Sequence, residues 1–167
     1  LGKIYPAHTV NNNRYTRAAR DLEGWLQKGI LNPDPYPSLY AYKQTYILNT
    51  NRETRWGFIG LARLEDFSKG IILPHESTLA SPKADRLNLL RACKANLCPI
   101  FGLYSDPGKK VNTLLAEYGT REKPVVQLID RNGVEHSLWI ISQTGLINTI
   151  SSEMKEKQLI IADGHHR

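Results

Sequence analysis

The sequence predicts a mixed α+β fold with a mainly antiparallel sheet and flanking helices. Apolar residues recur at helical spacing in several segments, and turn residues separate two pairs of strand-like runs. The predicted order is helix, two strands, helix, strand, helix, two strands, helix, strand. The 167 residues, 41% of them hydrophobic, can bury one ordinary core, so we expect a single domain over residues 1–167.

Four helices are predicted, and the first has the clearest pattern. Ala18, Leu22 and Trp25 lie at helical spacing, a run of asparagines precedes them as a cap, and Gly29 follows as a stop signal. The four predicted helices cover residues 14–29, 82–96, 106–118 and 151–157.

The predicted strands are rich in aromatic and β-branched residues and are divided by turn residues. Asn49, Thr50 and Asn51 join the first two strands as a hairpin, and Asn132-Gly133 is the turn signal of a second hairpin. The predicted strands cover residues 39–48, 56–64, 71–73, 100–104, 125–129, 135–141 and 159–161.

Composition and charge limit the kinds of partner. The net charge of +6 suits an anionic partner, but the absence of a long basic run and of a recognition-helix pattern argues against nucleic acid. No stretch approaches the roughly twenty apolar residues that cross a bilayer, and no signal peptide is visible, so we expect a cytoplasmic protein without membrane binding. The sequence contains no P-loop, no GxGxxG turn and no GxSxG elbow.

The strongest candidate site is the end of the sequence, where an apolar run over residues 159–161 leads into a polar turn. Backbone N–H groups at such a strand-to-helix turn favour anions. Arg167 offers a bidentate fork for phosphate, and Asp163 can cap a helix, hold Mg²⁺ or orient a histidine. The predicted phosphate site consists of Asp163, Gly164, His165, His166 and Arg167. A polar turn in a surface loop is the alternative.

A second candidate follows the predicted strand at residues 71–73 and Pro74. His75, Glu76 and Thr78 stand at this strand end, a position that functional side chains often occupy. Glu76 can act as the general base for a hydroxyl group. The alternative is that these residues cap the next helix.

Other polar residues in the sequence also have a functional and a structural interpretation. Lys83 and Arg86 share a face of the next helix and can hold one anionic group, although a solvated helix start explains them as well. His136 lies within a predicted hairpin, where a cross-strand contact is a better interpretation than a ligand role.

Several blocks of this sequence resemble, in order, a large bacterial and archaeal family, the "domain of unknown function ten-fifteen". The blocks are PAHTVNNNRY (residues 6–15), WGFIG (56–60), HEST (75–78), KADR (83–86), PIF (99–101) and ADGHHR (162–167). The family's members are typically longer on both sides, which fits a sequence whose only methionine is Met154. We therefore expect a piece of a longer protein, truncated at both ends relative to the family.

A more distant resemblance concerns function. The final turn resembles the phosphate-binding turn of the ParB/sulfiredoxin superfamily, and the archaeal free serine kinase in it has the same Asp-Gly-His-His-Arg string after a Pro-His-Glu. This resemblance implies a ParB/sulfiredoxin-like element at the C-terminal end and Glu76 as catalytic base. It also implies that the roughly ninety residues between the two motifs fold apart from the site.

The leading hypothesis is a small-molecule phosphotransferase that uses ATP or ADP with Mg²⁺ and a hydroxyl-bearing acceptor such as serine. Glu76 and Asp163 are its catalytic candidates, and the substrate-binding candidates are His75, Thr78, Lys83 and Arg86. The alternatives are a ParB-like nucleotide-binding regulatory module and a non-catalytic structural piece of a larger enzyme. The acceptor, the nucleotide, the metal ligands and the oligomeric state stay open at this point.

Overall fold

The computed structural model describes residues 8–74, 76 and 80–164, and within them the predicted mixed α+β fold is confirmed. In chain order the elements are α1 (Arg14–Gln27), β1 (Leu39–Leu48), β2 (Asn51–Ile59), a 3₁₀ turn (Phe67–Lys69), β3 (Ile72–Leu73), α2 (Ala80–Cys93), β4 (Phe101–Leu103), α3 (Lys110–Arg121), β5 (Val126–Ile129), β6 (Glu135–Ile141), α4 (Thr144–Met154) and β7 (Leu159–Asp163).

These elements form two compact units. Unit 1 contains the described residues of Leu1–Pro33, Ile72–Leu103 and Leu159–Arg167. Unit 2 contains Asp34–Ile71 and Tyr104–Gln158. Unit 1 is therefore assembled from three separate stretches of sequence. The expectation of a single domain stays a prediction.

Unit 2 is built on a four-stranded antiparallel sheet in the order β2-β1-β6-β5. Alternate side chains of β1 and β6 point to one face, where they pack with α3 and α4. The buried core consists of Ala41, Val111, Leu115, Trp139, Ile141 and Ile150. At its rim the Trp139 indole N–H donates to the carbonyl of Glu122 at 2.9 Å, which satisfies the polar atom of this buried ring.

Unit 1 contains a three-stranded sheet in the order β3-β7-β4. The central strand β7 is parallel to β3 and antiparallel to β4. Helices α1 and α2 pack against each other in the same unit. Because parallel neighbours need a long crossover connection, a large part of the chain intervenes between β3 and β7.

Two predicted elements are wrong in their position. The fourth helix, predicted over residues 151–157, runs over Thr144–Met154. The apolar residues that pack in the core recur every fourth position, at Leu146, Ile150 and Met154. Because this spacing begins before residue 151, the helix begins earlier in the sequence than predicted.

The second strand, predicted over residues 56–64, is Asn51–Ile59. Asn49 and Thr50 alone make the turn, with φ angles of 47° and 75°, and Leu48 then pairs with Asn51. Two-residue hairpin turns of type I′ have positive φ at both positions, and the second strand begins directly after Thr50. The other predicted helices and strands are confirmed, with ends shifted by a few residues.

Candidate functional site

The two predicted motifs follow neighbouring parallel strands. Leu73 of β3 pairs with Ile160 of β7, and Glu76 and Asp163 each lie three residues beyond this pair. Phe101 at the start of the antiparallel strand β4 pairs with Asp163. The segments that carry Glu76 and Asp163 therefore leave the sheet of unit 1 at the same edge, the carboxyl end of its parallel pair.

The turn after β7 is fixed by its backbone. The strand runs two residues further than predicted and includes Asp163 as its last residue. The Asp163 carboxylate accepts the Gly164 N–H at 2.7 Å, and Gly164 is buried with a φ of 85°. An L-residue is strained in this left-handed conformation, so the turn requires glycine here.

Glu76 lies just beyond Pro74, which ends β3, and its side chain is exposed. Helix α2 begins four residues later, at Ala80. The remaining predicted members of the two motifs lie outside the described residues: His75, Thr78, His165, His166 and Arg167.

Lys83 and Arg86 lie in the first two turns of α2, as predicted. Lys83 is exposed and Arg86 is half-buried. The Arg86 Nε atom lies 4.0 Å from a carboxylate oxygen of Asp85. Arg86 is therefore held beside an acidic neighbour on its own helix, whereas Lys83 extends toward solvent.

Sequence reasoning missed the group that joins α1 to α2. Arg14 donates to the Asp85 carboxylate at 2.6 Å, and the Tyr15 hydroxyl donates to the same oxygen at 2.7 Å. The Arg14 guanidinium also donates to the Tyr15 hydroxyl at 2.8 Å. The hydrogen bond to Tyr15 raises the pKa of Arg14, burial opposes this rise, and Asp85 adds to it. Arg14 and Asp85 both lie in the sequence blocks that resemble the family, but they are 71 positions apart. The sequence alone does not show which residues of two such distant helices face each other.

The start of α1 holds Arg14 and Tyr15 in a defined place. Asn13 accepts the N–H groups of Tyr15 and Thr16, and the Thr16 hydroxyl accepts the Asn13 N–H at 2.9 Å. This reciprocal capping box confirms the predicted asparagine cap. It fixes the backbone of the first turn, from which the Arg14 side chain reaches Asp85.

His136 makes the predicted cross-strand contact in unit 2. Its Nδ1 atom lies 2.6 Å from the Tyr42 hydroxyl, and its Nε2 atom lies 3.4 Å from a carboxylate oxygen of Asp130. Asp130 also accepts the N–H groups of Val134 and Asn132, and the Val134 bond is the largest influence that lowers the pKa of this carboxyl. These contacts fix the β5–β6 turn.

A cavity of about 300 Å³ lies in unit 2 and contains none of the predicted site residues. Its lining is Leu114, Glu117, Tyr118, Arg121, Glu122, Gln143 and Leu146. Among the described residues, no three His, Cys, Asp or Glu side chains group as a metal site. No helix in the described part of the chain has the length and apolar character to cross a bilayer.

Comparison with known proteins identifies a family. The model of a family described as "Protein of unknown function (DUF1015)" matches residues 1–167. No curated protein and no solved structure matches the chain.

Proposed function

The chain belongs to the DUF1015 family of proteins of unknown function, and from its site we propose a nucleotide-dependent phosphotransferase that acts on the hydroxyl group of a small molecule. The proposed enzyme is of the free serine kinase type. ATP or ADP is the phosphoryl donor, and a small hydroxyl-bearing molecule such as serine is the acceptor.

The observation that carries this proposal is the parallel pairing of β3 with β7. It brings the Glu76 segment and the Asp163–Gly164 turn to one sheet edge, although they are far apart in sequence. Ligands of sheets with parallel strands bind at the carboxyl ends of those strands. Most of the intervening sequence, Tyr104–Gln158, belongs to unit 2.

The proposed reaction forms a bond between the acceptor oxygen and the terminal phosphorus of the nucleotide, and breaks the bond from that phosphorus to the leaving phosphate oxygen. Glu76 takes the proton of the acceptor hydroxyl. The turn that begins at Gly164, with His165, His166 and Arg167, holds the phosphate. Phosphoryl transfer depends mainly on positioning and charge stabilisation, so an exposed carboxylate beside an anion-binding turn can suffice.

Mg²⁺ fits this edge through Asp163. In phosphoryl-transfer sites Mg²⁺ takes one or two carboxylates from the protein and further oxygens from the phosphates. The Asp163 carboxylate is exposed at the end of β7, so it would hold the ion, which when bound neutralises phosphate charge.

The proposal is tested with the protein, ATP or ADP, Mg²⁺ and a panel of hydroxyl amino acids and hydroxy acids, with product followed by ³¹P NMR. We expect a phosphorylated product from at least one acceptor. We expect Glu76→Gln to lower kcat by about 10²-fold or more, as loss of a general base does. Glu156→Gln, an exposed carboxylate in unit 2, is the matched control and should leave turnover unchanged.

Two results would overturn the proposal. Tight nucleotide binding without product from any acceptor would favour the ParB-like regulatory module instead. Product formation that is equal in Glu76→Gln and Glu156→Gln would remove Glu76 as the base.

A further inference from the structure

The charges at the contact between α1 and α2 do not balance. Among the described residues, Asp85 is the one carboxylate found at this contact, and two guanidinium groups approach it, that of Arg14 at 2.6 Å and that of Arg86 at 4.0 Å. The Tyr15 hydroxyl donates to the same carboxylate. Lys83, three positions before Arg86 on α2, adds another cation on that side of the helix. The described side chains of this group therefore carry an excess of positive charge.

The accessibility of these side chains decides which of them can meet a ligand. Asp85 is 18% exposed, whereas Arg14 and Arg86 are each 30% exposed. Asp85 Oδ1 already accepts from both Arg14 and Tyr15. The carboxylate is therefore occupied within the protein, while both arginine side chains keep part of their surface exposed to solvent.

Guanidinium groups are well suited to carboxylate and phosphate. Each presents five N–H donors in a planar fork, and two groups held near one point bind an oxyanion more strongly than one. The capping box of α1 and the hydrogen bonds that Arg14 donates to Asp85 and Tyr15 restrict where Arg14 can move. This pre-organisation lowers the entropy that an arginine loses when it binds a ligand.

The group lies on the helix that follows the proposed base. Glu76 precedes Ala80 by four residues, and Asp85 and Arg86 come one to two turns after Ala80. The proposed base and the arginine pair therefore belong to the same unit, and Arg86 follows Glu76 closely in sequence.

We propose that Arg14 and Arg86 bind an anionic group of the acceptor, a carboxylate or a phosphate, and that Asp85 and Tyr15 position them. This inference rests on the proposed phosphotransferase and narrows its acceptors to hydroxy compounds with a negative charge. Arg14 and Arg86 contact the acceptor, whereas Asp85 and Tyr15 act through Arg14. A purely structural tie between the helices would predict no dependence on the charge of the ligand.

Anion binding is measured without nucleotide by isothermal titration calorimetry, using two pairs of probes, each an anion and a related uncharged compound. Glycolate is compared with glycolamide to test the carboxylate, and glycerol 1-phosphate is compared with glycerol to test the phosphate. We expect at least one anion of these pairs to bind and its neutral partner to bind at least tenfold more weakly. The anion that binds identifies which oxyanion the group accepts.

Three variants test whether Arg14 and Arg86 bind the anion. Arg86→Gln and Arg14→Gln should each weaken the anion at least tenfold, and Arg14→Lys should retain part of the affinity. Arg91→Gln is the matched control, because Arg91 is an exposed arginine in the last turn of α2. If Arg14→Gln perturbs the fold, Arg86→Gln still decides the question, since its longer contact with Asp85 contributes less to the helix pair.

Tyr15→Phe tests the positioning role. It should raise the KM of a charged acceptor several-fold with little change in kcat, which a merely structural residue would not do. Equal anion affinity in Arg86→Gln and Arg91→Gln, or equal binding of anions and their neutral partners, would overturn the inference. These outcomes differ from failure of the phosphotransferase proposal, because Glu76→Gln should lower kcat by about 10²-fold or more and leave anion binding intact.

Discussion

Units 1 and 2 are stabilised by different kinds of contact. Every hydrophobic residue that is fully buried among the described residues belongs to unit 2, in the core between its sheet and helices. In unit 1 the described apolar residues are partly exposed, including Leu87, Leu90 and Phe101 at 40–50%. Its two helices are joined by the Arg14–Asp85–Tyr15 hydrogen bonds.

This difference in burial suggests that unit 2 provides stability and that unit 1 provides the binding site. Apolar burial is the main favourable term in folding, so we expect unit 2 to be the more stable of the two units. Unit 1 contains the proposed site, where charged side chains stand half-exposed and available to ligands. Sites that bind and release ligands are drawn from regions of lower local stability. We therefore expect amide hydrogens of β1 and β6 to exchange more slowly than those of α1 and α2.

The largest effect is expected from Leu115→Ala, because Leu115 is fully buried in the unit 2 core. Removing such a side chain leaves a cavity and typically costs about 2–5 kcal/mol of unfolding free energy. Leu90→Ala in α2 is the matched comparison and should cost less, because Leu90 is 42% exposed. Urea denaturation and hydrogen exchange measure both. Equal losses in the two variants would contradict the proposed difference between the units.

Asp106 is expected to have the next largest effect, because it anchors the start of α3 without being its N-cap residue. Its carboxylate accepts the N–H groups of Lys110 and Val111, and Lys157 Nζ lies 3.4 Å away. We expect Asp106→Ala to cost about 2 kcal/mol, the upper part of the range for a lost helix cap. Thermal or urea unfolding measures the loss. A cost within a few tenths of a kcal/mol would show that the N–H groups find other acceptors.

The contribution of Asp106 should also depend on pH. Burial tends to raise its pKa, but the N–H groups of Asn112 and Val111 and the Lys157 ammonium outweigh this and lower the pKa below its ordinary value of 3.8. The carboxylate therefore stabilises the fold above pH 3.8, and this stabilisation is lost as the pH falls through the lower folded-state pKa. The stability difference between the wild type and Asp106→Asn should shrink over that acid range. A difference that is constant down to the lowest pH at which the protein folds would contradict the shift.

The sequence predicted local features better than the contacts that build the site. Helix α1 has a run of helical spacing with a cap and a stop, so its position follows from its own residues. The position of α4 depends on which residues meet the core, and the local prediction placed it several residues late. The local sequence pattern therefore predicted the position of a helix well only where a capping residue precedes it and a stop signal follows it.

The candidate site depends on pairings between distant segments. Glu76 and the Asp163 turn were predicted from their motifs, but only the pairing of Leu73 with Ile160 brings their segments to one edge. Arg14 and Asp85 were each visible as polar residues near helix starts. Their contact requires the packing of α1 on α2, which neither helix encodes alone.

The smallest effect is expected at the β1–β2 turn, and it also tests how independent the units are. Thr50 has a φ of 75°, a conformation that costs an L-residue roughly 1–2 kcal/mol and glycine very little. Because glycine also loses more entropy on folding, Thr50→Gly should stabilise the protein by about 0.5–1 kcal/mol net. Asn49→Gly is the matched control and should gain less stability, since asparagine tolerates this conformation.

Hydrogen exchange of the Thr50→Gly variant tests whether the units unfold together. A gain in protection confined to amides of unit 2 would mean that the units open separately, whereas an equal gain in α1 and α2 would mean that they unfold together. Destabilisation by Thr50→Gly would contradict the strain itself.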